Sequence, residues 1–206
     1  MLSTRHHYMK KEAKEMARQA FQFEIDSIHA TKECMNWEAF AKAVEVLSKT
    51  ERIATTGCGH SGIACMHFAH SLCCVERPAR FISPSEALHG AIGYIQKGDV
   101  LIWASRGGRT DELTKIIDIC HAKGGIIIGI TENLSSPLAA KSDIVVPMKV
   151  TFETDKYNSQ GTSSFTALIA VFDALQTAII EEINYKNEQF ALNHPAGAVG
   201  KRLNQK

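Results

Sequence analysis

The sequence holds no internal repeat, no low-complexity stretch and no excess of either charge, with 23 Lys and Arg against 22 Asp and Glu. A nucleic acid or another long polyanion therefore has no basic tract to bind, and a polycation no acidic one. No CxxC pair occurs among Cys34, Cys58, Cys65, Cys73, Cys74 and Cys120, most of which fall inside apolar stretches. They read as reduced, buried thiols rather than a disulfide framework. The longest apolar runs are interrupted by Gly, Lys or Asp before the roughly 20 residues of a membrane-spanning helix, so no membrane role is expected. The first 14 residues are polar and basic without an apolar run. This argues against a signal peptide and for a cytoplasmic location.

What is present is the composition of a globular protein: 45% hydrophobic and 22% charged residues over 206 positions. That length suits one α/β domain better than two. Apolar residues recur at helical spacing at Met16, Ala20, Phe23 and Ile28, and again at Trp37, Phe40, Val44 and Leu47, which predicts two helices within residues 1–50. From residue 51 to 185 short apolar runs alternate with helical segments, the pattern of a parallel sheet covered on both faces. The expected strands are 52–56, 79–82, 100–105, 125–131 and 143–148. Helices are expected at 60–73, 84–92, 110–123, 136–141 and 163–184, with right-handed crossovers. The fold class is thus α/β, a doubly wound five-stranded parallel sheet flanked by helices and preceded by N-terminal helices. Residues 186–206 form a C-terminal segment, and the polar stretch 151–160 reads as a loop of the site.

Two glycine-rich turns follow predicted strands. GCGHSG (57–62) after the first strand lets main-chain N–H groups approach an anion at a helix start. It also matches GxGxxG, but a dinucleotide site wants an acid at the end of the second strand, where Ser83 and Pro84 stand and Glu86 is the nearest carboxylate. His60 and Ser61 favour a smaller polar ligand. SRGGRTDEL (105–113) after the third strand adds hydroxyls and two arginines at another helix start. Adjacent loops of this kind at the carboxyl ends of parallel strands suit a phosphate monoester.

These loops, together with PSEALHGAIG (84–93), KVTFET (149–154), GTSS (161–164) and above all FALNHPAGAVGKRL (190–203), resemble the sugar isomerase (SIS) domain family, in its D-arabinose 5-phosphate isomerase branch. The resemblance runs over about residues 36–203. It implies the SIS fold, a single domain over 1–206 and an aldose–ketose isomerase acting on a phosphosugar such as arabinose 5-phosphate, without cofactor or metal. A homodimer or homotetramer is implied as well, and the exposed apolar faces expected of the N-terminal helices agree with it. Catalytic positions carry over to Glu153, His194, His89, Glu112 and His60, the last where the family has lysine. Phosphate-binding positions carry over to Gly59, Ser61, Ser105, Gly107, Gly108, Thr110 and Ser163. The chain departs from the family at Arg106-Gly107-Gly108-Arg109, usually Asn-Ser-Gly-Glu. It departs also at Ser83, Ala91 and Phe152, usually histidine, an acid and lysine; a possible metal ligand is lost at Ser83. The regulatory CBS pair of the family is not expected in a chain ending soon after KRL.

Isomerisation needs a base and a group that stabilises the enediolate oxygen. The resemblance gives Glu153 the part of base, His194 or His89 that of ring opening, and Glu112 that of orienting a neighbour. Each residue also has a plain structural reading. Glu112 after Asp111 suits a helix dipole, Glu153 suits a solvated loop, and His89 suits an apolar core turn. His67, His70 and His121 carry no motif. Two other readings stay open: a phosphosugar sensor without turnover, and an isomerase of another phosphosugar such as 6-phospho-3-hexulose.

Overall fold

Five apolar runs become five parallel strands, β1 (Ile53–Thr56), β2 (Ala79–Phe81), β3 (Val100–Ala104), β4 (Ile126–Thr131) and β5 (Ile144–Pro147), in the order β2-β1-β3-β4-β5. The computed structural model describes residues 9–204; the start of the polar N-terminal stretch and the last two residues of the C-terminal segment lie outside the described residues. Each observed strand lies within one residue of its expected limits, most plainly where a strand is buried on both faces and therefore apolar throughout. β3 is buried at every position.

Alternate side chains of the strands feed two cores. Ile53, Val100, Ile102, Ile128, Ile130 and Val146 face one layer, made by α2 (Trp37–Lys49), α3 (Gly59–Cys74) and α7 (Ser163–Glu182), with α1 (Lys11–Glu33) against α7. Ala54, Leu101, Trp103 and Ile127 face the other layer, made by α4 (Pro84–Leu88), a 3-10 turn (Ala91–Tyr94), α5 (Asp111–Ala122) and α6 (Pro137–Lys141). In the first core Phe68 and Phe172 stack with centroids 4.3 Å apart. The chain winds outward in opposite directions from β1 and β3, so a crevice opens between the loops that follow these two strands.

Helix starts follow local chemistry. Asn36 Oδ1 accepts the N–H groups of Glu38 and Ala39, and Ser83 and Ser136 cap helices whose first residue is proline.

Several expectations are corrected. The helix expected over 84–92 stops at Leu88, because Gly90 takes φ +110° and the chain restarts as the 3-10 turn. Residues 187–193 and 197–204, expected only as a segment, form α8 (Asn187–Asn193) and α9 (Gly197–Asn204). In α1 the buried residues are Ser27 and Thr31, while Ile28 is exposed. Thr31 Oγ1 donates to the Lys149 carbonyl and accepts its N–H, and Ser27 Oγ accepts the Thr151 N–H, so the second half of α1 docks through hydroxyls. Of the cysteines only Cys65 and Cys120 are buried, and burial pushes both thiols up to about 12; Cys34, Cys58 and Cys73 are exposed and Cys74 partly so. α7 is long and apolar enough in composition to cross a bilayer, against expectation; here its apolar side chains fill the core between α1, α2, α3 and the sheet.

Truncation of Phe172 to alanine removes the stacked ring from a fully buried site and should cost about 3–5 kcal/mol. Chemical denaturation read by far-UV circular dichroism measures that loss, and a cost below about 1 kcal/mol would contradict the packing described.

Candidate active site

The two glycine-rich loops meet at the crevice. A Cβ at Gly62 would lie 2.5 Å from the Gly57 carbonyl oxygen, and one at Gly57 would lie 3.0 Å from the Ala104 carbonyl and 3.1 Å from the Gly62 nitrogen. Loop 57–62 therefore folds onto itself and against the end of β3 at a distance only hydrogen allows. This brings the main chain of Ser61 beside the residue that precedes Ser105. In the second loop Ser105 Oγ accepts the Gly108 N–H at 3.1 Å, and the Gly108 carbonyl accepts the Leu138 N–H at 3.2 Å. Gly108 is thus engaged in holding the loop against α6. Its N–H, expected to face an anion, is taken up inside the loop, whereas Gly107 is exposed with open space beside it.

Thr110 occupies the cap position of α5, yet its hydroxyl makes no capping bond. Glu112 in the first turn is exposed and makes no hydrogen bond or ion pair among the described residues. Burial, with a smaller contribution from the Glu112 charge, raises the Cys58 thiol. Gly59 opens α3 with φ +54°, and Ser61 is half-buried in the first turn of that helix. The His60 ring lies on Gly161: a Cβ there would come within 2.5 Å of His60 Nδ1, and the Phe165 ring stands edge-on with its centroid 6.3 Å away. Ser163, in the first turn of α7, is fully buried and its hydroxyl has no partner among the described residues. The loops after β1, β3 and β5 are thus gathered at one end of the sheet.

Glu153 is the most constrained residue of this end. It is 2% exposed, so the reading of a solvated loop acid is corrected. Oε1 accepts Arg106 Nη1 at 2.7 Å, and Oε2 accepts the N–H of Thr162 at 2.9 Å, the N–H of Ser164 at 3.1 Å and the Thr162 hydroxyl at 3.2 Å. An acid across the first turn of a 20-residue helix suits its dipole. The four donors also bear on its expected part as base. Taking a proton would weaken charge-assisted hydrogen bonds in a buried place.

Arg106 also donates through Nε to Glu132 Oε2 at 2.8 Å, and Glu132 Oε1 accepts the Val150 N–H at 3.3 Å and faces Lys149 Nζ at 3.4 Å. Burial opposes the Glu132 charge, but the Arg106 hydrogen bond, the Val150 N–H and Lys149 outweigh it and hold the carboxyl below its usual range. The charge gained in the second loop is therefore directed at two carboxylates. Sequence reading missed Glu132 and Gly161. Glu132 directly follows the last residue of β4, and the rule that picked Ser105 could have found it.

Two expected residues make no hydrogen bond to this network among the described residues. His89 is exposed at the end of α4, after β2, so its reading as a core histidine is corrected. His194 lies at the opposite end of the fold. Tyr185 Oη donates to the Cys74 carbonyl at 2.8 Å, and Gln189 and Asn193 donate to Glu76, so α8 is fastened to the foot of α3. The 16 residues of α3 span about 24 Å, and the site lies at their other end. His194 stacks on Phe190 at 4.3 Å, and its buried Nδ1 has no partner among the described residues. Among the described residues no cluster of three or more His, Cys, Asp or Glu could hold a metal ion.

A family profile described as SIS domain matches residues 46–178. The arabinose 5-phosphate isomerase KdsD of Francisella tularensis is 34% identical over 189 residues, covering 90% of this chain and 58% of that protein. KdsD of Pseudomonas aeruginosa is 35% identical over 165 residues, with 80% and 51% covered. The chain spans about half the length of these curated relatives. A Listeria monocytogenes structure described as that of a proposed sugar-phosphate isomerase superposes with a TM-score of 0.87 at 41% identity, covering 92% of this chain and 100% of that one. An Escherichia coli CFT073 protein in complex with arabinose 5-phosphate gives a TM-score of 0.85 at 25% identity, with 91% and 100% covered.

Two outcomes follow from this geometry. Gly161→Ala should drive His60 off its seat while the fold survives, seen as a displaced His60 imidazole resonance with near-unchanged far-UV circular dichroism. The depressed Glu132 carboxyl gives full stabilisation above the ordinary carboxylate pKa of about 4.3, lost as pH falls through the lower folded value. The thermal midpoint of the unaltered protein should therefore drop more steeply with acid than that of Glu132→Gln.

Proposed function

The chain belongs to the SIS domain family, and on that footing we propose that it is an aldose–ketose isomerase of a phosphosugar, the arabinose 5-phosphate and ribulose 5-phosphate pair first among its substrates. One observation carries the reading: two polar glycine-rich loops with free hydroxyls adjoin at the crevice between β1 and β3. Ser61, Ser105, Thr110 and the open main chain of Gly59 and Gly107 would hold the phosphate, with Ser163 close by and exposed Arg109 adding charge. The names of the curated relatives support the same chemistry.

In the reaction a base removes the C2 proton of the open-chain aldose, the C–H electron pair forms the C1–C2 double bond of the enediolate, and the proton returns to C1 while the C2 hydroxyl proton passes to the C1 oxygen, leaving C2 the ketone. We move the base from Glu153, where sequence alone put it, to Glu112. The exposed carboxylate of Glu112 can take up a proton without breaking a bond inside the protein. Glu153 then serves as a fixed anion that ties the loops together. His60 on Gly161 is placed to polarise the carbonyl or pass the ring-opening proton.

His194 enters this scheme through assembly, and His89 from the connection after β2. His194 is roughly the length of α3 from its own loops, so a second copy of the chain would supply it, in a homodimer or homotetramer. Phe21, Ile25, Ile28 and Trp37 on the N-terminal helices are exposed apolar side chains suited to such contacts. The scheme calls for no metal or cofactor, and the reaction belongs in the cytoplasm, where phosphosugars are kept.

Arabinose 5-phosphate incubated with the protein in deuterated water should gain deuterium at the transferred position and yield ribulose 5-phosphate, and Glu112→Gln should lower that exchange by about a hundredfold or more. Binding without exchange in the unaltered protein would favour a sensor. Mixed assemblies of His194→Ala and Glu112→Gln chains should regain part of the activity that each lacks alone, and no recovery would return His194 to a structural part.

A further inference from the structure

We infer that Arg106 is a positioning residue, which clamps Glu153 across the gap between the β3 loop and the start of α7 instead of binding the phosphate of the substrate. The inference rests on the reading of this crevice as the phosphosugar site. Three observations converge on it. The guanidinium is forked, with Nε on Glu132 Oε2 at 2.8 Å and Nη1 on Glu153 Oε1 at 2.7 Å, so two of its three nitrogens are directed at carboxylates. Its main chain is held as well: the Arg106 carbonyl accepts the Glu132 N–H at 3.1 Å and the Thr131 hydroxyl at 3.0 Å, which fixes the root of the side chain. Finally, Glu153 presents its other oxygen to the N–H groups of Thr162 and Ser164, so the clamp reaches the helix that carries Ser163.

The charged groups in contact with the pair are Glu132, from the end of β4, and Lys149, which meets Glu132 from the segment before Glu153. His60 faces the same region through Gly161. With Glu132 and Glu153 ionised, Arg106 and Lys149 balance them one for one. Without Arg106, Glu153 would be a buried anion with neutral donors only, which is costly. Arginine rather than lysine suits the place, because only a planar fork serves two carboxylates in fixed directions.

The test compares the full chain with Arg106→Lys, Arg106→Gln, Glu153→Gln and the double variant Arg106→Gln/Glu153→Gln. Each is read by turnover of arabinose 5-phosphate and by thermal midpoint. For a clamp, Arg106→Gln should lose about tenfold or more in kcat at little-changed KM, while the double variant is no worse than Arg106→Gln. Arg106→Lys should recover part of the loss. A phosphate ligand would instead raise KM at unchanged kcat, with losses that add in the double variant; that pattern overturns the proposal. The thermal midpoints decide the same question without turnover. Non-additive losses support the clamp even if the protein isomerises nothing, and additive losses reject it even if it does.

Discussion

The carboxylate of Glu153 is the point to which the carboxyl end of the sheet is tied. One oxygen reaches back to the β3 loop through Arg106, and the other caps α7 through two main-chain N–H groups. Glu132 extends the tie to the end of β4. The β3 loop and the end of β4 are also joined through the Arg106 carbonyl, which accepts the Glu132 N–H and the Thr131 hydroxyl, and the charged network carries the connection on to α7. A buried ion pair of this kind contributes little net stability, since desolvation offsets most of the attraction, but losing one partner is costly. Its value here is geometric, because it fixes where the hydroxyls of Ser105 and Thr110 stand relative to the first turn of α7.

The site occupies one end of the molecule, and it uses two features of the parallel sheet. Strand order reverses between β1 and β3, which leaves room for a ligand, and the helices that follow these strands point their N-termini into that room. The close approach of Gly57 and Gly62 brings the first loop down to the level of the second. The arrangement therefore offers an anion many donors, while Glu112 in the first turn of α5 is a solvent-facing carboxylate.

Much of this was legible in the sequence, for physical reasons. Strands such as Val100–Ala104 are buried on both faces, so their whole composition reveals them. The glycine turns betray themselves by glycine and by the hydroxyls around it. The break at Gly90 was harder, because a positive φ leaves no trace in apolar periodicity. α8 and α9 are short and lie largely on the surface, so their apolar pattern is weak. The state of Glu153 was hidden most deeply: Arg106 is 47 positions away in sequence, and the capping N–H groups come from the start of α7, so only the assembled loops show that an acid in a polar stretch is buried and bound. His194 sits in the most telling motif of the chain, yet its place at the foot of α3 depends on how Gln189 and Asn193 find Glu76.

The hydroxyl docking of α1 has a further consequence. Ser27 and Thr31 grip the main chain at Lys149 and Thr151, and Lys149 itself faces Glu132. Apolar contacts slide, whereas paired donors and acceptors keep register. The second half of α1 is therefore set in register with the strand-to-loop segment that leads to Glu153, while Phe21 and Ile25 on the same helix remain exposed to solvent.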